Sequence, residues 1–110
     1  DLYCGDDWAA LAMACLGAVG VVSVASHVVG PPIARMLAHV AAGRIEEARA
    51  IHRELSPVFD ALFVTSNPIP LKAALAELGL PGGPPRPPLQ PATEGERATI
   101  AEALRGVGLG

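Results

Sequence analysis

The apolar and polar positions in the first part of the chain predict an alternation of strands and helices. Residues 2–4 have the pattern of the end of a strand, and a turn at residues 5–7 leads into a helix over residues 8–16 with an aspartate as its N-cap. Gly17 is expected to end that helix. Residues 20–24 form a continuous apolar run, which is typical of a strand covered on both faces in a parallel sheet. This order is typical of an α/β protein.

Further along, the apolar period becomes helical. A loop over residues 25–30 is predicted to lead into a helix that begins at Pro31-Pro32 and ends at Gly43. A longer helix follows, with its apolar positions at Ile45, Ala48, Ile51, Leu55, Phe59, Leu62 and Phe63. Pro57 lies inside this pattern, so we expect a kink or a restart at Ser56.

The fourth predicted helix is inferred from its two ends. Asn67 followed by Pro68 has the pattern of an N-cap and a first helical residue. Gly79 comes directly after Leu78, the last residue of the apolar pattern, and is expected to end the helix.

The last thirty residues combine a proline-rich segment with a helix. The segment PGGPPRPPLQPAT, residues 81–93, contains too much proline for regular structure, so we expect an extended strap packed on the surface. Thr93 and Glu96 match the T-x-x-E capping box in front of a final helix. The apolar positions of that helix are Ile100, Ala103, Leu104 and Val107.

Two strands are too few to form a stable sheet, so the first part of the chain requires strands from elsewhere. The chain does not begin with Met, and its apolar pattern starts at residue 2, which indicates a piece of a longer protein. By itself the chain is expected to aggregate or remain molten, because its strand edges and the apolar face of its first helix would lack partners.

Composition narrows the possible partners. Apolar residues make up 51% of the chain but aromatic residues only 4%, so the core must be built mainly from Ala, Leu, Val and Ile. The net charge of −3, with no basic stripe, argues against nucleic acid as a partner. Cys4 and Cys15 match neither a disulfide framework nor a zinc site, and we expect two reduced, semi-buried thiols.

The uncharged stretch over residues 8–26 is long enough to be considered as a membrane span. Its first half favours helix, whereas Val19, Val21, Val22 and Val24 in its second half favour strand. A helix, a glycine-bounded turn and a strand explain that change better than one spanning helix, so we expect no membrane partner.

Adjacent carboxylates at Asp6 and Asp7 are the most prominent candidate site. Neighbouring side chains diverge, so the two are poorly placed to act on one atom, and a helix cap with favourable charge at the helix dipole is the ordinary interpretation. They nevertheless lie where α/β proteins place their sites, beyond the end of a parallel strand. Ser23, Ser26 and His27 follow the second strand at the same edge, but no G-x-S-x-G motif or orienting acid accompanies them.

The remaining ionisable residues have ordinary interpretations. His27, His39 and His52 show no metal-ligand spacing, so we expect surface or helix-packing histidines and neither a metal nor a cofactor. Lys72, the only lysine, falls in the first turns of the fourth predicted helix with Glu77 on the same polar face. A solvated or ion-paired lysine is expected there, and a Schiff-base lysine is the functional alternative.

The order of the motifs, rather than their composition, resembles a known family. GDD at a strand end, LGAVGVVSV, the helix pair around AAGRIEEAR, LFVTSNPIPLKAALAELGL and RPPLQPATEGER together resemble the C-terminal portion of the dihydrodipicolinate synthases. GDD and GVVSV alone are similar to the wider pyruvate-dependent class I aldolases and lyases. The N-P-I-P-x-K helix followed by the proline strap is more specific to the synthases.

The resemblance implies a fold and a reaction. The fold is α/β: residues 1–42 would be the last two βα units of a (β/α)8 barrel, and residues 43–110 a C-terminal helical domain with the strap at 81–93. In the family, pyruvate forms a Schiff base with an upstream lysine and then condenses with aspartate semialdehyde, a step in lysine and diaminopimelate biosynthesis. Lys72 does not match the Schiff-base position, so no catalytic residue is expected in this chain.

The resemblance also implies which residues meet the substrates. Gly5, Asp6 and Asp7 would lie near the second substrate, and Val22 with Ser23 near pyruvate, Val22 largely through its backbone carbonyl. Family members are commonly cytoplasmic homotetramers, so a homo-oligomer is expected. The alternatives are another pyruvate-dependent aldolase of the same family and a free-standing helical interaction module.

Overall fold

The computed structural model describes all residues, 1–110, as two strands and five helices. The chain divides into two compact units, residues 1–56 and residues 57–110. None of the helices combines the length and the apolar content that crossing a membrane requires.

The first unit begins with the predicted strand, helix and strand. Strand β1 (Tyr3–Cys4) and strand β2 (Gly20–Val21) pair in parallel, with Tyr3 opposite Gly20 and Cys4 opposite Val21. Helix α1 (Ala10–Cys15) connects them. The uncharged stretch is therefore a helix followed by a strand, as its change in composition predicts.

Both strands are shorter than predicted, and β2 is not covered on both faces. Its pairing ends where β1 ends, with the Val22 amide donating to the Cys4 carbonyl at 2.8 Å. Val22 is 72% exposed and Leu16, after α1, is 80% exposed. Tyr3, on β1 itself, is 59% exposed as well, and exposed apolar residues of this size match the expectation that further strands are needed.

Helix α2 (Ser26–Ala41) starts earlier than Pro31, so the predicted exit loop is wrong. The chain turns into helix directly after Ala25. After the break at Val29, the proline pair lies in the first turn of the second helical segment, as predicted. Val29 has non-helical angles, φ −127° and ψ 34°, and marks a kink between the first turn and the rest. Proline at position 31 explains the kink, since its ring lacks an amide hydrogen and crowds the preceding turn.

Three helices end at the glycines that the sequence predicts: Gly17, Gly43 and Gly79. After α2, Gly43 has φ +74°, and the Arg44 amide donates back to the His39 carbonyl at 2.8 Å. Only glycine adopts this left-handed conformation without strain, so the turn is determined locally.

The core of the first unit is built from small and flexible side chains. Ala10, Met36 and Ala48 are buried together, and Val21 and Ile51 pack against them with Leu11, Leu37 and Val40. Alanine at two of the three central positions allows α1, α2 and the helix that contains Ala48 to approach closely. Both cysteines are free thiols, as expected, although Cys4 is buried and Cys15 exposed rather than both semi-buried.

Helix α3 (Ile45–Ala61) is continuous through Pro57, so the predicted restart at Ser56 does not occur. The Ser56 hydroxyl donates to the His52 carbonyl at 2.8 Å, one turn back. Ala48, Leu55 and Phe59 are buried as the helical period predicts. The predicted apolar face is less regular at its ends, where Ile45 and Phe63 are exposed.

In the second unit, helix α4 (Ile69–Glu77) packs against helix α5 (Glu94–Gly106). Asn67 is not the N-cap of α4 as predicted: Pro68 holds that position with no side-chain cap. The Ile69 amide instead donates to the Ser66 carbonyl at 2.9 Å, so a turn precedes the helix.

The start of α5 agrees with its sequence pattern. The Glu96 amide donates to Thr93 Oγ1 at 3.2 Å, and the Thr93 amide donates to Glu96 Oε2 at 2.8 Å, which completes the predicted capping box. Ile100 and Leu104 are buried on its inner face.

Residues 81–93 form no helix or strand, as expected for a strap. Lys72 Nζ donates to the Gly82 carbonyl at 3.0 Å and to the Pro84 carbonyl at 3.1 Å. Lys72 is half-buried and forms no ion pair, so its amino group binds the strap instead of Glu77. A Cβ at Gly82 would lie only 3.0 Å from Leu75 Cδ1, so the strap approaches α4 closely. Because prolines have no amide hydrogen, the strap contains few donors for its own carbonyls, and the Lys72 amino group donates to two of them.

We predict that Lys72→Met loosens the strap. The substitution keeps the aliphatic length but removes both charge-assisted hydrogen bonds, which should cost about 1–3 kcal/mol. Hydrogen–deuterium exchange of the amides in residues 81–93 should become faster. The matched control is Arg86→Gln, which removes an exposed cation from the strap itself. Equal exchange rates in the two variants would contradict the role of Lys72.

Trp8, the only tryptophan, packs against a histidine of α3 in the first unit. The ring centroids of Trp8 and His52 lie 5.3 Å apart at an interplanar angle of 73°, an edge-to-face arrangement. Burial disfavours the charged imidazolium and lowers the pKa of His52 from its ordinary value of 6.5. The prediction of a helix-packing histidine holds for His52.

This lowered pKa predicts a pH dependence of stability. Below pH 6.5 the unfolded chain binds a proton that the folded chain resists, so the free energy of unfolding should fall as the pH drops from 6.5 to the folded pKa. His52→Gln should remove this part of the dependence. Urea unfolding on either side of pH 6.5, followed by Trp8 fluorescence in a full-length enzyme that contains this chain, measures it. His27→Gln, which removes an exposed histidine, should keep the parent's dependence; if it removed as much, His52 would not be the source.

Candidate functional site

The parallel pairing of β1 and β2 brings the five predicted substrate-binding residues to one edge of the sheet. Because Cys4 lies opposite Val21, the segments that follow the two strands leave the sheet side by side. These segments are Gly5, Asp6 and Asp7 after β1, and Val22 and Ser23 after β2. We call these five residues the rim.

The carboxylate of Asp7 joins the two segments. It is 2% exposed and accepts three hydrogen bonds, all from residues after β2. The Ser23 hydroxyl donates to Oδ1, and the amides of Val24 and Ala25 donate to Oδ2 at 3.2 and 2.9 Å. A buried carboxylate is costly unless donors surround it, so these bonds explain why Asp7 is tolerated in the interior.

The two adjacent aspartates therefore differ in role, and neither caps α1 as predicted. Ala9 holds the N-cap position of α1 without a side-chain hydrogen bond. Asp7 instead binds amides at the start of α2, whose N-cap is Ala25. Asp6 is exposed, and its Oδ1 accepts from the Trp8 amide at 2.9 Å in a local turn. Spacing alone predicts that the two diverge, but not that one reaches across to the next βα turn.

Ser23 is held on several sides. Its hydroxyl donates to Asp7 and accepts from the Ser26 amide at 2.8 Å, while the Ser26 hydroxyl donates to the Ser23 carbonyl at 3.0 Å. The Ser23 hydrogen is directed to Asp7 and not to His27, whose side chain is exposed. The arrangement therefore lacks the serine–histidine pair that activates the nucleophile of a Ser-His-Asp triad.

The exposed part of the rim consists of Gly5, Asp6 and Val22. Nothing lies within 4 Å of a Cβ built on Gly5, so the space beside it is open. The Val22 amide bonds to the Cys4 carbonyl, whereas the Val22 carbonyl accepts no hydrogen bond from the chain. The Cys4 thiol donates to the Asp6 carbonyl at 3.2 Å, and this bond helps to fix the turn after β1.

These groups can bind and orient a ligand, but they contain no nucleophile or general base in position. The Val22 carbonyl and the Asp6 carboxylate are acceptors. Nowhere in the chain do three or more His, Cys, Asp or Glu side chains lie close enough together to hold a metal ion. The sequence does not predict the contact between Trp8 and His52. The one indication of it is the position of the only tryptophan directly after the two aspartates.

Comparisons with known proteins agree with this architecture. Residues 1–106 match the model of the dihydrodipicolinate synthetase family. The 4-hydroxy-tetrahydrodipicolinate synthase of Moorella thermoacetica is 48% identical over 108 residues, which are 98% of this chain and 37% of that protein. The synthase of Parasynechococcus marenigrum is 52% identical over 103 residues, which are 94% of this chain and 34% of that protein.

Solved structures match equally well. A synthase from Cyanidioschyzon merolae, crystallised with lysine bound, has a TM-score of 0.94 and 50% identity over 98% of this chain and 37% of its own. One from Thermotoga maritima has a TM-score of 0.91 and 38% identity over 94% of this chain and 35% of its own. The chain thus spans little more than a third of these relatives. Together with the parallel βαβ arrangement, the matches confirm the predicted fold class, a part of a (β/α)8 barrel with a helical domain. The chain belongs to the dihydrodipicolinate synthetase family.

Proposed function

We propose that the chain is the C-terminal part of a lyase that condenses pyruvate with aspartate semialdehyde through a Schiff base, in lysine and diaminopimelate biosynthesis. The observation that carries the proposal is the rim: two parallel strands end side by side and present residues 5–7 next to Val22 and Ser23. That is the end of a barrel at which such enzymes bind their substrates. The identity of 48% with a full-length synthase supports the same reaction.

Within this function the rim residues would line part of the substrate pocket. Gly5, Asp6 and Asp7 would lie near aspartate semialdehyde, and Val22 and Ser23 near pyruvate. Val22 would contact pyruvate through its main-chain carbonyl oxygen. An aliphatic side chain is therefore compatible with this position. Gly5 has the open space beside it that a substrate would need.

The covalent step would depend on residues outside this chain. A Schiff base requires a lysine amino group that can become neutral and reach the carbonyl carbon of pyruvate. Lys72 is the only lysine, and its amino group is bound to two carbonyls of the strap. The chain would therefore supply part of the pocket and the helical domain, and it would be inactive alone.

The remaining parts of the proposal concern organisation. Residues 1–42 would be the last two βα units of the barrel, and residues 43–110 the C-terminal helical domain with the strap at 81–93. The whole enzyme would be a cytoplasmic homotetramer that uses no cofactor beyond its own lysine. The parallel β1–α1–β2 arrangement supports the first assignment, and the helices after Gly43 support the second.

A hybrid enzyme tests the proposal. In the Moorella thermoacetica synthase, the matching 37% would be replaced by this chain. The hybrid should condense pyruvate with aspartate semialdehyde. With pyruvate and borohydride it should gain a stable adduct on a lysine of the Moorella portion, detected by peptide mass spectrometry. The 110-residue chain alone should gain none.

Lys72→Gln in the hybrid is the matched control. It removes the only amine that this chain could contribute from a side chain. The variant should keep the pyruvate adduct, because the reacting lysine lies elsewhere. An adduct on Lys72, or a folded hybrid that forms no adduct, would overturn the proposed function.

A further inference from the structure

We propose that Asp7 is a positioning residue: its buried carboxylate sets the place of the Val22 carbonyl at the rim by holding Ser23 and the start of α2. The inference rests on the proposed function, because it assigns the carboxylate a part in that reaction. It also differs from the simpler expectation that Asp7 touches the second substrate.

The hydrogen bonds of Asp7 leave it poorly placed to touch a ligand. Both carboxylate oxygens are used by donors of the chain, Oδ1 by the Ser23 hydroxyl and Oδ2 by the amides of Val24 and Ala25. The residue is 2% exposed, whereas the neighbouring Asp6 is exposed. Of the two carboxylates, only Asp6 can meet a substrate without breaking bonds that compensate for burial of a charge.

Ser23 transmits the constraint. A hydroxyl has one hydrogen, and that hydrogen is donated to Asp7, while an oxygen lone pair accepts from the Ser26 amide. Ser23 therefore cannot donate a hydrogen bond to a substrate as long as it donates to Asp7. Its side chain is a link between the buried carboxylate and the backbone that follows β2.

The group that this link positions is the peptide between Val22 and Ser23. On one side the Val22 amide is bound to the Cys4 carbonyl at 2.8 Å. On the other side Ser23 is bound through its hydroxyl to Asp7 and through its carbonyl to the Ser26 hydroxyl. The Val22 carbonyl lies between these two anchors and has no partner of its own in the chain. Removing either anchor would let that peptide rotate.

The hybrid enzyme described above provides the test. Asp7→Ala should lower kcat by about 10- to 100-fold, because small displacements of a positioning group are costly to catalysis. The KM for aspartate semialdehyde should change by less than about 2-fold, since a group that acts only through geometry gives no uniform binding. Each kcat is divided by the number of sites that trap pyruvate with borohydride, so loss of folded enzyme does not count as loss of rate.

Ser23→Ala supplies the second arm. If Asp7 acts through Ser23, the double variant should lose no more activity than Asp7→Ala alone, because the two changes break the same link. Asp7→Asn should cost less than Asp7→Ala, since the amide oxygen can still accept from Val24 and Ala25. Ser23→Ala and Asp7→Asn also keep the inference testable if Asp7→Ala fails to fold.

The outcomes separate this inference from the proposed function. A parent hybrid that is folded but traps no pyruvate sinks the proposed function itself. An active parent with unchanged kcat per trapping site in Asp7→Asn and Ser23→Ala sinks only the positioning role. A rise in the KM for aspartate semialdehyde at constant kcat in Asp7→Asn would show that Asp7 contacts substrate, and the inference would again be wrong.

Discussion

The carboxylate of Asp7 holds together the two turns that follow β1 and β2, through the hydroxyl of Ser23 and the amides of Val24 and Ala25. With only two paired residues in each strand, the sheet itself provides few hydrogen bonds at this end. The bonds to Asp7 extend the connection beyond the last ladder pair. Because a buried carboxyl group must keep its hydrogen-bond partners, the geometry of the rim follows from burying this one side chain.

Much of the fold was predictable because the responsible signals are local. Glycine at 43 and 79 determines two helix ends by backbone conformation alone, and Thr93 with Glu96 determines the start of α5 by a reciprocal hydrogen bond. The βαβ order at the start followed from the change between helix-favouring and β-branched residues. Such features depend on neighbours within a few positions, so a single sequence contains them.

Most of the features that the sequence does not predict depend on contacts between distant parts of the chain. The start of α2 depends on Asp7, many residues earlier in the chain, whose carboxylate accepts from the amides at that helix end. The role of Lys72 depends on carbonyls of the strap, and no spacing rule connects them. Pro57 was expected to interrupt α3, yet the helix continues through it. In the first two cases a side chain binds a backbone group that is distant in sequence. Almost every residue carries the same backbone groups, so the sequence does not indicate which of them is the partner.

The bare carbonyl of Val22 has a consequence for how this family can be studied. A main-chain oxygen stays in place whatever side chain stands at position 22, so replacing the valine by alanine leaves the acceptor intact. Alanine scanning therefore does not test the Val22 carbonyl, which is one of the few exposed polar groups of the rim. Other side chains that fit the turn at residue 22 would likewise leave this oxygen in place. Only a change to the backbone itself, such as an ester in place of the following amide, would weaken that oxygen as an acceptor.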